Sequence, residues 1–134
     1  MKKQTKNSSI LKHILKYCTE IDATIERFGD NETVFKDDFV YQNACSMSLL
    51  QIGELTKHLT PAFKETFTEI PWKDIYGMRH FFAHDYGNMN THVIWMTLKE
   101  NIPNLEHFCK EQLGRYDLLD APSMKVKEDD SDYY

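Results

Sequence analysis

Apolar residues along this 134-residue chain return every three or four positions and almost nowhere alternate strictly with polar ones. That spacing follows the 3.6-residue turn of a helix, in which residues three and four apart share a face, and not the two-residue repeat of a strand. Ile10, Ile14, Cys18, Ile21, Ile25 and Phe28 predict a first helix over residues 9–28, stopped by Gly29-Asp30-Asn31. Val40, Ala44, Met47 and Leu50, widened by Leu49, Ile52 and Leu55, predict a second over 37–59, ended by Thr60-Pro61. Residues 61–70 form a connector with room for one short helix carrying Phe63 and Phe67. Pro71 suits the first turn of a third helix with Trp72, Ile75, Tyr76, Met78, Phe81 and Phe82 on its apolar side. Asn90 or Thr91 can cap a fourth, continued by Val93, Ile94, Leu98, Ile102, Leu105, Phe108 and Leu113, with a local kink at Pro103. An all-α, up-and-down bundle of four to five helices satisfies every one of these faces.

At 15.9 kDa the chain is the size of one domain. The helical domain is expected to occupy residues 1–116, because the apolar period lapses after Tyr116. Residues 117–134 set two lysines against six acids and carry −4 of the total charge of −5, the composition of an acidic, disordered tail. The remaining body is nearly neutral, which argues against a broad basic surface while leaving room for a local cationic site. Cys18, Cys45 and Cys109 are odd in number and far apart, so neither a disulfide scaffold nor a cysteine zinc site is expected. The amino terminus shows no signal-peptide core and no segment reaches membrane-spanning length, which predicts a cytoplasmic protein with no membrane partner.

Chemistry concentrates in Arg79-His80-Phe81-Phe82-Ala83-His84-Asp85-Tyr86. A guanidinium offers a rigid fork of donors that fits phosphate oxygens, and an imidazole exchanges a proton near neutral pH. Arg79 and His84 are the candidate catalytic pair, with His80 supporting them. On an unbroken helix their five-residue separation places them about 140° apart, so they converge only at a helix end near Asp85-Asn88 or across two copies of the chain. Arg79 could instead be a surface residue paired with Asp74 or Asp85. His80 and His84, four apart, could face a metal, but the H-E-x-x-H form is absent and no metal or cofactor is expected. Gly53 sits mid-helix, where it costs about 1 kcal/mol relative to Ala unless something approaches closely. Gly53 and Glu54 are therefore candidates for a helix contact or a dimer interface.

Arg79, His84 and Tyr86 fit the R-x4-H-x-Y signature, with His80 as the polar residue after the Arg. Ile52-Gly53-Glu54, Ile70-Pro71-Trp72 and Ile94-Trp95 fall before and after it in order. In these elements, over about residues 9–113, the chain resembles the HEPN family (higher eukaryotes and prokaryotes nucleotide-binding), in its HepT-like branch of ribonuclease toxins. The resemblance implies a homodimer whose two Arg-His motifs share one cleft and cut RNA without a metal. It also implies neutralisation by a minimal nucleotidyltransferase antitoxin that adenylylates Tyr86. The alternative within the family is a non-catalytic nucleotide- or RNA-binding or scaffold protein that serves as partner or substrate of a nucleotidyltransferase.

Overall fold

The computed structural model describes residues 2–84 and 90–120, with side chains from 6 to 82 and from 90 to 118. Among these residues the chain forms helices and turns and no strand. α1 spans Lys2–Phe28, α2 Glu32–Asp37, α3 Phe39–Thr56, α4 Pro61–Thr66, α5 Trp72–His84, α6 Thr91–Met96 and α7 Ile102–Asp120. A π-helical turn, Thr97–Asn101, joins α6 to α7 in one rod. Four long members, α1, α3, α5 and this rod, make the bundle that the apolar spacing predicts, and α2 and α4 are short connectors. None of these helices is long and apolar enough to cross a membrane.

α1 lies in the middle, packed on α3 and α7, and α3 in turn carries α5. Leu11, Ile14, Cys18 and Ile21 of α1 are wholly buried against Tyr41, Cys45, Leu49 and Ile52 of α3. Two aromatic groups close the ends. Phe28, Phe35, Tyr41 and Trp95 meet at one, with Phe28 stacked on Tyr41 at 5.0 Å. Phe63, Phe67, Trp72 and Phe108 meet at the other. Gly29 ends α1 at φ +119°, a conformation suited to glycine, and its carbonyl accepts the Tyr41 hydroxyl at 2.8 Å. Asn31, Asp38, Thr60 and Asn90 each cap the helix that follows with a side-chain oxygen.

Four features depart from the expectations set by spacing. α2 was not expected, since only Val34 and Phe35 in its six residues are apolar; it exists because Asn31 caps it and Phe35 is buried. Val40, Ala44 and Met47 do not face the core; α3 is rotated so that Tyr41, Cys45 and Leu49 do, leaving Val40 50% and Met47 56% exposed. Around Pro103 the rod widens into the π turn: Pro103 has no N–H and its ring would strike the carbonyl of Lys99, and the Ile102 N–H reaches back five residues to Thr97. Finally, α7 continues to Asp120, beyond the lapse in apolar spacing at Tyr116, because a helix end exposed to water needs no apolar face. Residues 121–134 lie outside the described residues.

α3 and α5 come into close contact at Gly53. A Cβ there would stand 2.9 Å from the Ile75 carbonyl oxygen, 3.0 Å from the Arg79 Cβ and 3.1 Å from the Arg79 nitrogen. Two of those atoms are backbone and cannot swing aside. Gly53→Ala is therefore expected to destabilise the fold by about 1–2 kcal/mol, because the overpacking exceeds the gain in helix propensity. Thermal unfolding followed by circular dichroism should show a melting temperature several degrees lower; an unchanged or raised value would contradict the close approach.

Candidate active site

The cation of the motif stands on α5 and its counter-charge on α3. Arg79 donates its guanidinium Nε–H to Glu54 Oε1, a contact that joins residues 25 apart in sequence and is possible because Gly53, one residue earlier, lets the helices close. The other carboxylate oxygen, Oε2, faces Lys57 Nζ at 3.7 Å and His58 Nε2 at 4.0 Å. The Arg79 guanidinium also lies 5.9 Å from the centroid of the Tyr76 ring. With Nε committed to Glu54, the two terminal nitrogens are the edge that matches two phosphate oxygens.

Both side chains of the pair keep about a third of their surface in water, 32% for Arg79 and 38% for Glu54, so the pair is a positioning device rather than a source of much stability. Its effect on protonation is plain. The hydrogen bond from Arg79, aided by the charges of Arg79, Lys57 and His58, holds the Glu54 carboxyl below its ordinary value and outweighs desolvation. The same hydrogen bond raises Arg79.

The sequence-expected residues fall as follows. Among the described residues Arg79 pairs with Glu54, 25 residues away, and not with Asp74; Asp85 lies outside them. Gly53 touches α5 of its own chain, which accounts for the glycine within one protomer. His80 is exposed on α5, one position on from Arg79. α5 stays helical through His84, which puts positions 79 and 84 about 140° apart around it. The side chain of His84, and Asp85 and Tyr86 entirely, lie outside the described residues. Among the described residues no group of three or more His, Cys, Asp or Glu could hold a metal ion.

Spacing along single helices could not have paired Glu54 with Arg79, since the contact is between helices. The one local signal was the glycine beside Glu54, which marks where another backbone comes close. A second feature was hidden by the assignment of Val40 and Met47 to the core. With Phe39 (72% exposed) and the half-buried Leu50 they form a largely apolar face on α3, along positions 40, 43, 47, 50 and 54, which Asn43 interrupts and Glu54 ends. The seven-residue repeat is that of a helix meeting another helix along a seam.

Because the folded-state Glu54 carboxyl is depressed, the pair favours the folded chain above the ordinary carboxylate value and stops doing so as pH falls through the lowered one. Arg79→Ala should move the Glu54 titration, followed by carbon NMR of its carboxyl, upward into the ordinary range. An unmoved titration would show that Arg79 is not what holds it.

Comparison with known proteins identifies the family. Residues 14–112 match the family described as Ribonuclease HepT-like. The chain is similar to a candidate RNase of Caldanaerobacter subterraneus subsp. tengcongensis, 40% identical over 106 residues, covering 78% of this chain and 92% of the relative. It is also similar to a candidate ribonuclease HepT of Thermococcus cleftensis, 36% identical over 98 residues, covering 71% and 88%. No solved structure matches. With the match extending through most of the bundle and across both Glu54 and Arg79, the chain belongs to the HepT-like ribonuclease family.

Proposed function

We propose that the protein is a metal-independent endoribonuclease toxin that cuts RNA in a cleft formed by two copies of the chain. The observation that carries the reading is the guanidinium of Arg79, held by Glu54 at the end of an unpartnered apolar stripe. Phe39, Val40 and Met47 stand exposed on one face of α3 beside the half-buried Leu50, more than a solitary bundle needs there, and a second copy would cover them. Pairing along that stripe brings the two Arg79–Glu54 pairs toward a common axis. It also supplies what one helix cannot, an imidazole from one α5 facing a guanidinium from another.

The chemistry follows from those groups. A His84 imidazole takes the proton of a ribose 2′-hydroxyl, the oxygen attacks the neighbouring phosphorus, and His84 of the second copy protonates the departing 5′-oxygen. Arg79 bonds the non-bridging oxygens as charge grows on them, and Glu54 keeps its fork aimed without freezing it in the transition state. His80, beside Arg79, supports phosphate binding. The products are a 2′,3′-cyclic phosphate and a 5′-hydroxyl.

Control would come from a minimal nucleotidyltransferase antitoxin. Adenylylation of Tyr86, two residues beyond His84, adds bulk and negative charge where a substrate phosphate must sit. A cytoplasmic setting fits this partnership and an RNA substrate.

Incubation of the purified protein with total RNA is expected to give cleavage that survives EDTA. His84→Ala and Arg79→Lys should each lose at least about a hundredfold in rate while keeping their circular dichroism, the first for want of proton transfer and the second because a point charge does not replace the fork. Full activity in either variant would overturn its assigned role. Met47→Asp is expected to convert the dimer to a folded, inactive monomer by light scattering; an active monomer would overturn the shared cleft. Tyr86→Phe should remain active and escape silencing by the nucleotidyltransferase with ATP, and covalent silencing of that variant would point to another acceptor.

A further inference from the structure

On the side of α5 turned away from Arg79, a groove runs between α5 and the α6–α7 rod. It consists of cavities of about 320 and 180 Å³ that share Asp74, Met78 and Thr97. The groove exists because α5 packs on α3 and stands off the rod. Met78, Phe81, Phe82 and Ile94 give the larger cavity flat apolar and aromatic walls. Among the described residues Asp74 is its one charged group, and that carboxylate takes no hydrogen bond or ion pair with them. Asn90 lines the same cavity; its side-chain oxygen accepts the Val93 N–H at 3.1 Å, which leaves its NH₂ to donate elsewhere.

Gly77 leaves part of the wall open. It stands in the middle of α5, lines the larger cavity, and a Cβ placed on it would meet nothing within 4 Å. Unlike Gly53, it is not required by any contact inside the chain, yet it weakens the helix. A bare backbone keeps that stretch of the wall low enough for a planar group to lie against it.

The lining selects among occupants. A lone carboxylate repels phosphate and accepts from N–H groups, and it can accept two at once. Of the four RNA bases only guanine offers two adjacent N–H donors on its Watson–Crick edge, with a carbonyl acceptor beside them for an amide such as that of Asn90. Adenine and cytosine would each set a ring-nitrogen acceptor against the carboxylate. Asp74 and Arg79 stand about 7.5 Å apart along the axis of one helix and about 140° apart around it, so a strand that reaches both crosses the exposed face of α5 at Tyr76, Gly77 and His80.

We propose that the groove between α5 and the α6–α7 rod is a base-recognition site, in which Asp74 reads an unstacked guanine of the strand whose phosphate Arg79 holds across the exposed face of α5. The assignment rests on the ribonuclease reading above, and the nucleotide-binding arm of its test does not depend on cleavage. Titration of the full chain with 5′-GMP, AMP, CMP and UMP by calorimetry should give GMP the lowest Kd by at least tenfold. Asp74→Asn, which swaps an acceptor for a donor, should remove that preference while retaining the fold by circular dichroism. Gly77→Ala should raise the melting temperature by a few degrees, since the Cβ is free of clashes, and weaken GMP binding at least threefold. Equal binding of the four nucleotides, no binding of GMP, or GMP selectivity unchanged in Asp74→Asn would each overturn the proposal. GMP selectivity in a chain that cuts no RNA would uphold the groove and remove the nuclease; cleavage that ignores base identity would do the opposite.

Discussion

Everything at the candidate site depends on how near α3 can come to α5. A side chain at position 53 would push the Ile75 carbonyl and the Arg79 backbone outward, and the Glu54 carboxylate would lose its reach to the guanidinium. Glycine weakens a helix, so its presence mid-α3 has to be offset by packing, and here the offset is the contact between two helices. The consequence is geometric more than energetic. An exposed ion pair adds little to stability, yet a tethered guanidinium presents one edge to a ligand, where an untethered one would sample many orientations.

The same helix carries both the clamp and the unpartnered stripe. Phe39, Val40, Met47 and Leu50 run along α3 toward Glu54, so whatever covers the stripe also approaches Arg79. The core helps explain why the stripe can stand outside: Tyr41, Cys45, Leu49 and Ile52 already satisfy α1, and the described residues include no further helix to lay against the other side. Assembly and chemistry are in this way tied to one helix. A single α5 spreads positions 79 and 84 around its circumference, and the proposed pairing of two chains is what brings a guanidinium and an imidazole together.

Much of the bundle was legible in the spacing of apolar residues. Ile10, Ile14, Cys18 and Ile21 are buried as their period requires, the rod begins at the Asn90 cap, and Pro103 lies where the helix widens. What escaped was of two kinds. Short elements fixed by a cap and one anchor, such as α2 with Asn31 and Phe35, hold too few apolar residues to show a period. Faces were ambiguous where a helix is apolar on two sides: α3 offers both 41-45-49-52 and 40-44-47-50, and only the position of its neighbours decides which turns inward. Within the site, Arg79 and His80 could be picked out from their chemistry in sequence. The partner of Arg79 could not, because Glu54 comes from another helix and nothing local ties the two.

If one protomer holds only part of a cleft, activity per chain must depend on association. The most direct measurement is the EDTA-resistant rate of RNA cleavage per chain across a dilution series that spans the dimer dissociation constant, with light scattering on the same samples. The account predicts that the rate per chain falls in step with the fraction of paired chains. A rate per chain that stays constant down to concentrations where only single chains scatter would contradict it.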